Sequence, residues 1–254
     1  TFEPGSTFKV ITMIAAMEEN VIPEGHVFHC DGGVHYGDTY VKCWNAAGHG
    51  DQTLSDILKN SCNVGFIDLG NMLGKEKLNS YIDKLGFGKL TGVDLPGEAE
   101  GIVKATEDIA DIDLGTIAFG QTNTVTAMQL MQAFNAIANG GNLIQPHILK
   151  EISHVDNSGN TIIDEEFQPK TEHGVLSEGK TAILREYLEK TAIQDGPVDS
   201  FVQGYSVGGK TGTAQKPDFE NGGYTSDKYI ASMVALAPVD NPQIPVFLAV
   251  DEHG

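Results

Sequence analysis

Apolar residues are densest at the start of the chain. Phe8, Val10, Ile11, Met13, Ile14, Ala15, Ala16 and Met17 leave almost no polar face, and a helix apolar on nearly every side is a buried one. Val21-Ile22-Pro23-Glu24-Gly25 reads as a turn. Residues 26–52 then lose any helical period and become glycine-rich, with short strand-like pieces such as Tyr40-Val41-Lys42-Cys43-Trp44. Thr53-Leu54-Ser55-Asp56 is a capped helix start. The helix it opens runs towards Asn60, is interrupted at Ser61-Cys62-Asn63, and resumes from Val64 to Leu73. An amphipathic helix is predicted over about residues 75–85, closed by Gly86, and residues 86–101 are turn-rich. Thr126 to Gln129 has capping-box spacing, and Val125, Met128, Met131, Phe134 and Ile137 mark a core-facing helix ended by Gly140-Gly141.

Further on, Ile148–Ile152 and Thr161–Ile163 flank Asn157-Ser158-Gly159-Asn160, which predicts a hairpin. Ser177 starts a surface helix to about Gln194. The last fifty residues change to strands: Ser206–Ala214, Tyr229–Ala237 and Ile244–Val250, rich in β-formers. Asp240-Asn241-Pro242 separates the last two, as in an antiparallel meander. A helical body followed by strands is an α+β pattern, not an alternating one.

Composition narrows the function. The 254 residues suffice for one large domain or two small ones. A net charge of −19 argues against nucleic acid and against an anionic membrane surface. No apolar run reaches the ~18 residues that span a bilayer, and no signal-peptide pattern is present. Residue 1 is not methionine, and Val250-Asp251-Glu252-His253-Gly254 follows directly on a strand. The expectation is a piece of a longer protein.

Candidate chemistry begins at Ser6-Thr7-Phe8-Lys9. Residues three apart share a helix face, so Ser6 and Lys9 can meet. Burial drives a lysine towards its neutral form, and a neutral amine beside a hydroxyl can activate it as a nucleophile. The bland alternative is an N-cap serine and a snorkelling lysine; Ser177-Glu178-Gly179-Lys180 has the same spacing at a plain helix start. Likewise Ser61-Cys62-Asn63 alone is weak, since Ser158-Gly159-Asn160 repeats it in a turn. Lys210-Thr211-Gly212 is stronger, because it lies on a predicted strand where a glycine admits a ligand or a second backbone. The ordered set S-x-x-K, S-x-N, K-T-G is the signature of penicillin-binding proteins and class A β-lactamases.

With Glu3-Pro4-Gly5 before Ser6, Trp44 with Gly48-His49-Gly50, Phe119-Gly120-Gln121, Asn139-Gly140-Gly141 and Gly209 to Ala214, the whole chain (residues 1–254) resembles the transpeptidase domain of a class B penicillin-binding protein of the division and sporulation type. The resemblance implies the penicilloyl serine transferase, or β-lactamase-like, fold: an antiparallel five-stranded sheet flanked by helices, with a helical subdomain. It implies truncation at both ends of that fold. It implies a D,D-transpeptidase acting on peptidoglycan stem peptides and acylated by β-lactams, anchored to the outer face of the cytoplasmic membrane by an N-terminal segment absent from this chain, and working with a membrane glycosyltransferase. Ser6 is then the nucleophile, Lys9 its base, Ser61 a proton relay and Asn63 a ligand of the substrate amide and of Lys9. Lys210, Thr211 and Thr213 bind the terminal carboxylate with Gly212 between them, and the backbone N–H groups of Ser6 and Thr213 form the oxyanion hole. One position departs from the pattern: Thr122 follows Gln121 where glycine is expected.

No cofactor is needed for that chemistry. Residues 26–52 nevertheless form a loop-rich segment dense in Cys, His and Asp. Three readings stay open for it: a Cys30–Cys43 disulfide, a structural zinc on Cys30, Cys43, His49 and Asp51, or inert thiols. His29 and His35 are the alternative fourth ligands, and Cys62 is read as a small buried residue. Rival functions are a D,D-carboxypeptidase, a β-lactamase, and a non-catalytic β-lactam sensor or scaffold.

Overall fold

A computed structural model describes residues 1–36, 38–192, 202–217 and 223–252. The chain enters through a 3-10 turn, Gly5–Thr7, and passes into α1, Lys9–Glu18. Every residue of α1 from Lys9 to Met17 is buried, as its all-round apolar character demands. The loop-rich segment then folds into two short ladders. Strand β1 (Phe28–Cys30) pairs with β4 (Gly50–Gln52), and between them β2 (Gly33–Tyr36) pairs with β3 (Thr39–Lys42).

Helix α2 (Leu54–Lys59) starts at the foreseen box, with Asp56 N–H donating to Thr53 Oγ1 and Thr53 N–H donating to Asp56 Oδ2. Cys62 caps α3 (Asn63–Leu73), and α4 (Lys75–Lys84) follows. Helix α5 (Asp111–Ala118) has no counterpart in the sequence reading; it is only eight residues long and carries Gly115. Helix α6 (Ala127–Ala138) has its capping box, Thr126 with Gln129. Strand β5 (Leu143–Ile144) pairs with β8 (Thr171–Glu172), and β6 (Glu151–Val155) with β7 (Thr161–Glu166) across the foreseen hairpin. Helix α7 (Glu178–Thr191) is not a surface helix: Leu184, Arg185 and Leu188 are buried. The Arg185 guanidinium donates to the carbonyls of Val239 and Ile137, each at 2.9 Å. The position foreseen for its end, Gln194, lies outside the described residues.

The last strands form the meander read from the sequence: β9 (Gly208–Pro217), β10 (Tyr224–Ala237) and β11 (Ile244–Asp251), with β10 in the centre and both pairings antiparallel. Here the five-stranded expectation is corrected. Among the described residues the main sheet has three strands, because the eight earlier strands pair off in four separate two-stranded ladders and none joins β9 or β11. The fold is helical and antiparallel-β mixed, with α1 at the centre, packed on α3, α4 and α7.

Candidate active site

Three elements converge on one cleft of about 460 Å³, lined by Gly5, Ser6, Trp44, Asn60, Ser61, Asn63, Phe119, Gln121 and Thr211 to Thr213. The 3-10 turn supplies Ser6. Two glycines let that turn sit where it does. Gly5 has φ +56 and donates its N–H to Gly120 O at 2.9 Å. Gly120 has φ +99, and a Cβ there would stand 1.9 Å from Gly5 O. A side chain at either position would push the Ser6 turn out of the cleft wall.

Lys9, at the first position of α1, is fully buried. Its Nζ donates to Ser61 O (2.7 Å), Ser61 Oγ (3.1 Å) and Asn63 Oδ1 (2.7 Å). Burial, and secondarily the nearby Lys210, hold its pKa well below the ordinary 10.5. Three donations are those of the ammonium; once neutral, the amine keeps two N–H groups for the closer acceptors, Ser61 O and Asn63 Oδ1, and turns its lone pair to the Ser61 hydroxyl, where it can act as a base. Ser61 is held by the junction between α2 and α3 at φ +49. Asn63 is fixed on its other side, with Nδ2 donating to Lys42 O at 3.2 Å. Ser6 and Lys9 were expected to meet directly. The structure puts Ser6 in the cleft and Lys9 beneath it on Ser61 and Asn63, without a Ser6–Lys9 hydrogen bond.

Strand β9 brings the third motif. Lys210 is 2 % exposed, and burial alone lowers its pKa to about 7. Its Nζ donates to Thr211 O at 3.0 Å. Register places Lys210 opposite Val234 and Thr213 opposite Ala231, so Thr211 and Thr213 share the other face of the strand. Both line the cleft. Gly212 is needed where β9 crosses the nucleophile turn: a Cβ there would stand 2.8 Å from Pro4 O. Trp44, 66 % exposed, forms the opposite wall and donates Nε1–H to Asn60 O at 2.9 Å.

Beneath that wall lie four ligand-type side chains. One donor atom each from Cys30, Cys43, His49 and Cys62 fall within 4.8 Å of one another. The three cysteines are free thiols, so the disulfide reading is set aside. Asp51, the fourth ligand expected from the sequence, is corrected to Cys62. In the β1–β4 ladder His29 and Asp51 are register partners on the exposed face, while Cys30 lies buried on the other. Asp51 Oδ1 is 2.6 Å from His29 Nδ1, and His29 Nε2 reaches Asp31 at 2.9 Å. His35 lies tilted against Tyr40, with ring centroids 4.6 Å apart. The donor set fits a zinc-type ion. Four tetrahedral ligands about 2.3 Å from a metal stand roughly 3.8 Å apart, within the observed spread. His49 Nε2 is buried without a hydrogen-bond partner. The hydrogen bond between the two thiols pulls Cys43 below its ordinary value, while that bond and burial push Cys62 above it.

Sequence reasoning named every polar motif residue of the cleft but did not group Cys62 with Cys30, Cys43 and His49, and did not foresee the Trp44–Asn60 contact that fixes one wall. Trp44 was visible only as a motif member, and Cys62 sat inside a motif that already had a role.

Comparison with known proteins agrees with this geometry. The sequence-family model of the penicillin binding protein transpeptidase domain matches residues 1–254. Stage V sporulation protein D of Bacillus subtilis is 41% identical over 99% of this chain and 38% of its own length. The peptidoglycan D,D-transpeptidase FtsI homolog of Mesostigma viride is 31% identical over 99% of this chain and 45% of its own. The chain thus spans less than half the length of these curated relatives. Penicillin binding protein 3 of Mycobacterium tuberculosis, solved with aztreonam, superposes with a TM-score of 0.86 at 28% identity, over 99% of this chain and 56% of that one. The transpeptidase domain of Burkholderia pseudomallei penicillin-binding protein 3 gives 0.85 at 29% identity, over 99% of this chain and 71% of that one. On sequence and on structure, the chain belongs to the class B penicillin-binding protein transpeptidase domain family.

Proposed function

We propose that this chain carries a peptidoglycan D,D-transpeptidase activity that runs through a serine acyl-enzyme and is captured by β-lactams. The observation that carries the reading is the buried Lys9 amine, bonded to Ser61 Oγ and Asn63 Oδ1 beneath a cleft walled by Ser6 and by the Thr211–Thr213 strand. Ser6 Oγ attacks the carbonyl of the penultimate D-alanine, and Lys9 takes its proton. The N–H groups of Ser6 and Thr213 stabilise the oxyanion. Ser61 returns a proton to the departing D-alanine. Asn63 orients the substrate amide, and Lys210 with Thr211 and Thr213 receives the terminal carboxylate. An amine from a second stem peptide then resolves the ester, forming the cross-link and restoring the Ser6 hydroxyl.

A β-lactamase needs a carboxylate or equivalent base to activate water against its acyl-enzyme. No Asp or Glu is among the described residues lining the cleft, which favours a long-lived ester. The sensor reading is disfavoured by the complete Ser6, Lys9, Ser61, Asn63 and Lys210 set. We further infer a structural zinc on Cys30, Cys43, His49 and Cys62; when bound it supplies no step of the reaction and only fixes the loop segment against α3. No described helix is long and apolar enough to cross a membrane. A peptidoglycan substrate places the proposed activity at the outer face of the cytoplasmic membrane, where a glycosyltransferase supplies the strands to be cross-linked.

Intact-mass measurement with benzylpenicillin tests the reading. The expected result is one stable adduct on Ser6, absent from Ser6→Ala and persistent for many minutes. Rapid return to the unmodified mass with accumulating hydrolysed drug points to a β-lactamase instead. A folded chain that is never labelled revives the sensor reading.

A further inference from the structure

Glu3 lies three residues before Ser6 and is 7% exposed. The acyl-transfer chemistry does not use it. Its Oε1 accepts two hydrogen bonds, from the Thr122 backbone N–H at 2.8 Å and from the Tyr224 hydroxyl at 2.9 Å. Its Oε2 is buried with no partner. A buried carboxylate with one bare oxygen is costly to keep.

Its first partner is strained. Thr122 has φ +75, a left-handed backbone conformation that a β-branched residue rarely adopts. This is the position where the motif pattern led us to expect glycine. The strain is held by the bond to Glu3 and by Thr122 Oγ1 against Thr116 Oγ1 at 2.7 Å. Phe119 and Gln121, in the same loop, line the cleft, and Gly120 O in between accepts the Gly5 N–H. The second partner, Tyr224, opens β10, whose Ala231 pairs with Thr213. One carboxylate oxygen therefore joins the nucleophile turn, the loop at 119–122 and the β9–β10 pair.

We propose that Glu3 is a positioning residue for acylation: it holds Thr122 in its strained backbone conformation and ties β10 to the nucleophile turn, fixing Phe119, Gln121 and Thr213 relative to Ser6. This rests on the acyl-enzyme reading above. Glu3 touches no reacting atom. It acts on the saturating rate of acylation, which depends on alignment, more than on the initial binding of the drug.

The test uses the full chain with Glu3→Ala, Glu3→Gln, Thr122→Gly and the Glu3→Ala/Thr122→Gly double variant. Two quantities are read: acylation by benzylpenicillin, resolved into saturating rate and non-covalent affinity, and amide hydrogen exchange across residues 119–125. Misalignment of about 1 Å costs on the order of 10²-fold in rate, so Glu3→Ala is expected to slow the saturating rate by about 10- to 100-fold, with affinity changed less than about threefold. Its Thr122 amide is expected to exchange at least about tenfold faster, since that hydrogen bond is lost. Glu3→Gln keeps an oxygen acceptor and is expected to stay within about threefold of the parent rate. Thr122→Gly removes the strain, so in the Glu3→Ala background it is expected to recover most of the lost rate, a non-additivity that independent sites do not show. Should Glu3→Ala fail to fold, Glu3→Asp, which withdraws the carboxylate by one methylene, carries the same comparison. Unchanged exchange at Thr122, an unchanged rate in Glu3→Ala, or simple additivity in the double variant overturns the proposal. A parent chain that never captures the drug instead overturns the acyl-enzyme reading, while the exchange data still decide the clamp.

Discussion

Two buried lysines, Lys9 and Lys210, lie close enough for the charge of one to act on the other, and their environments set how stability and activity respond to pH. Lys210 titrates near 7 in the folded chain because of burial, against an ordinary 10.5. Between those values the unfolded chain binds the proton and the folded chain does not, so this group makes stability rise with pH from about 7 to about 10.5, by up to about 1.4 kcal/mol per unit. Below 7 both states are charged and the burial cost is present in full. Lys210→Met, which removes that cost, is expected to raise the denaturation midpoint at pH 7 and below, and to lose the advantage towards pH 10. Acylation by a carboxylate-bearing penicillin is expected to fall by about 30- to 5000-fold, as for other buried charge partners whose loss costs about 2–5 kcal/mol. Chemical denaturation at several pH values, beside acylation rates, checks both. A variant that is less stable than the parent at pH 6 contradicts the assigned environment. At this scale the sequence was most informative. Ser6, Lys9, Ser61, Asn63 and Lys210 were identifiable because each motif fixes side-chain type and spacing together. What spacing could not reveal was which acceptor Lys9 chooses. That depends on the left-handed turn at Ser61 and on a carbonyl 52 residues away.

At the scale of elements, the cleft is made by close approach between backbones. Gly120 is the tightest such place, with φ +99 and the space of its absent Cβ already filled by Gly5 O at 1.9 Å and Phe8 Cβ at 2.9 Å. Gly120→Ala therefore combines a left-handed penalty of about 1–2 kcal/mol with an overpacking cost of about 1–3 kcal/mol. The expected outcome is a melting point lower by several degrees and acylation slowed by about tenfold or more. Thermal melting and single-turnover acylation check it. Parent-like values for both show that this contact does not set the nucleophile turn. Helices α2, α3, α4, α6 and α7 and the final meander were legible because each has a cap or an unbroken period. Helix α5 was not: Asp111–Ala118 is short, and Gly115 breaks its apolar pattern. Its glycine is explained only by tertiary packing, since a Cβ there would meet the Tyr36 side chain at 2.7 Å. The number of strands in the main sheet was equally out of reach, because pairing between distant strands leaves no local trace.

Across the whole molecule, the cysteine and histidine cluster joins the loop-rich segment to the start of α3. Its donors come from the end of β1, the residue after β3, the loop before β4 and the cap of α3. The cluster also reaches the cleft. Trp44 stands edge-on to His49 at 5.2 Å, and the segment before Cys43 receives the Asn63 side chain through Lys42 O. An ion bound only by the folded chain stabilises it by mass action, and at this cluster it would also fix one wall of the cleft. The expected result is one equivalent of zinc in reduced protein purified without chelator. Removing it is expected to lower the melting point and the acylation rate together, and adding zinc back to restore both. Two substitutions separate this cluster from the set that sequence adjacency favoured. Cys62→Ser removes a thiolate donor, yet its hydroxyl can still accept the Gly65 N–H that Cys62 Sγ takes at 3.3 Å, so the α3 cap survives. It is expected to lose most of the zinc. Asp51→Asn, on the outer face of β4 beside His29, is expected to keep both zinc and acylation. Equal zinc loss in the two variants, or no zinc in the untreated parent, removes the ion from this fold and leaves the three thiols as ordinary buried side chains.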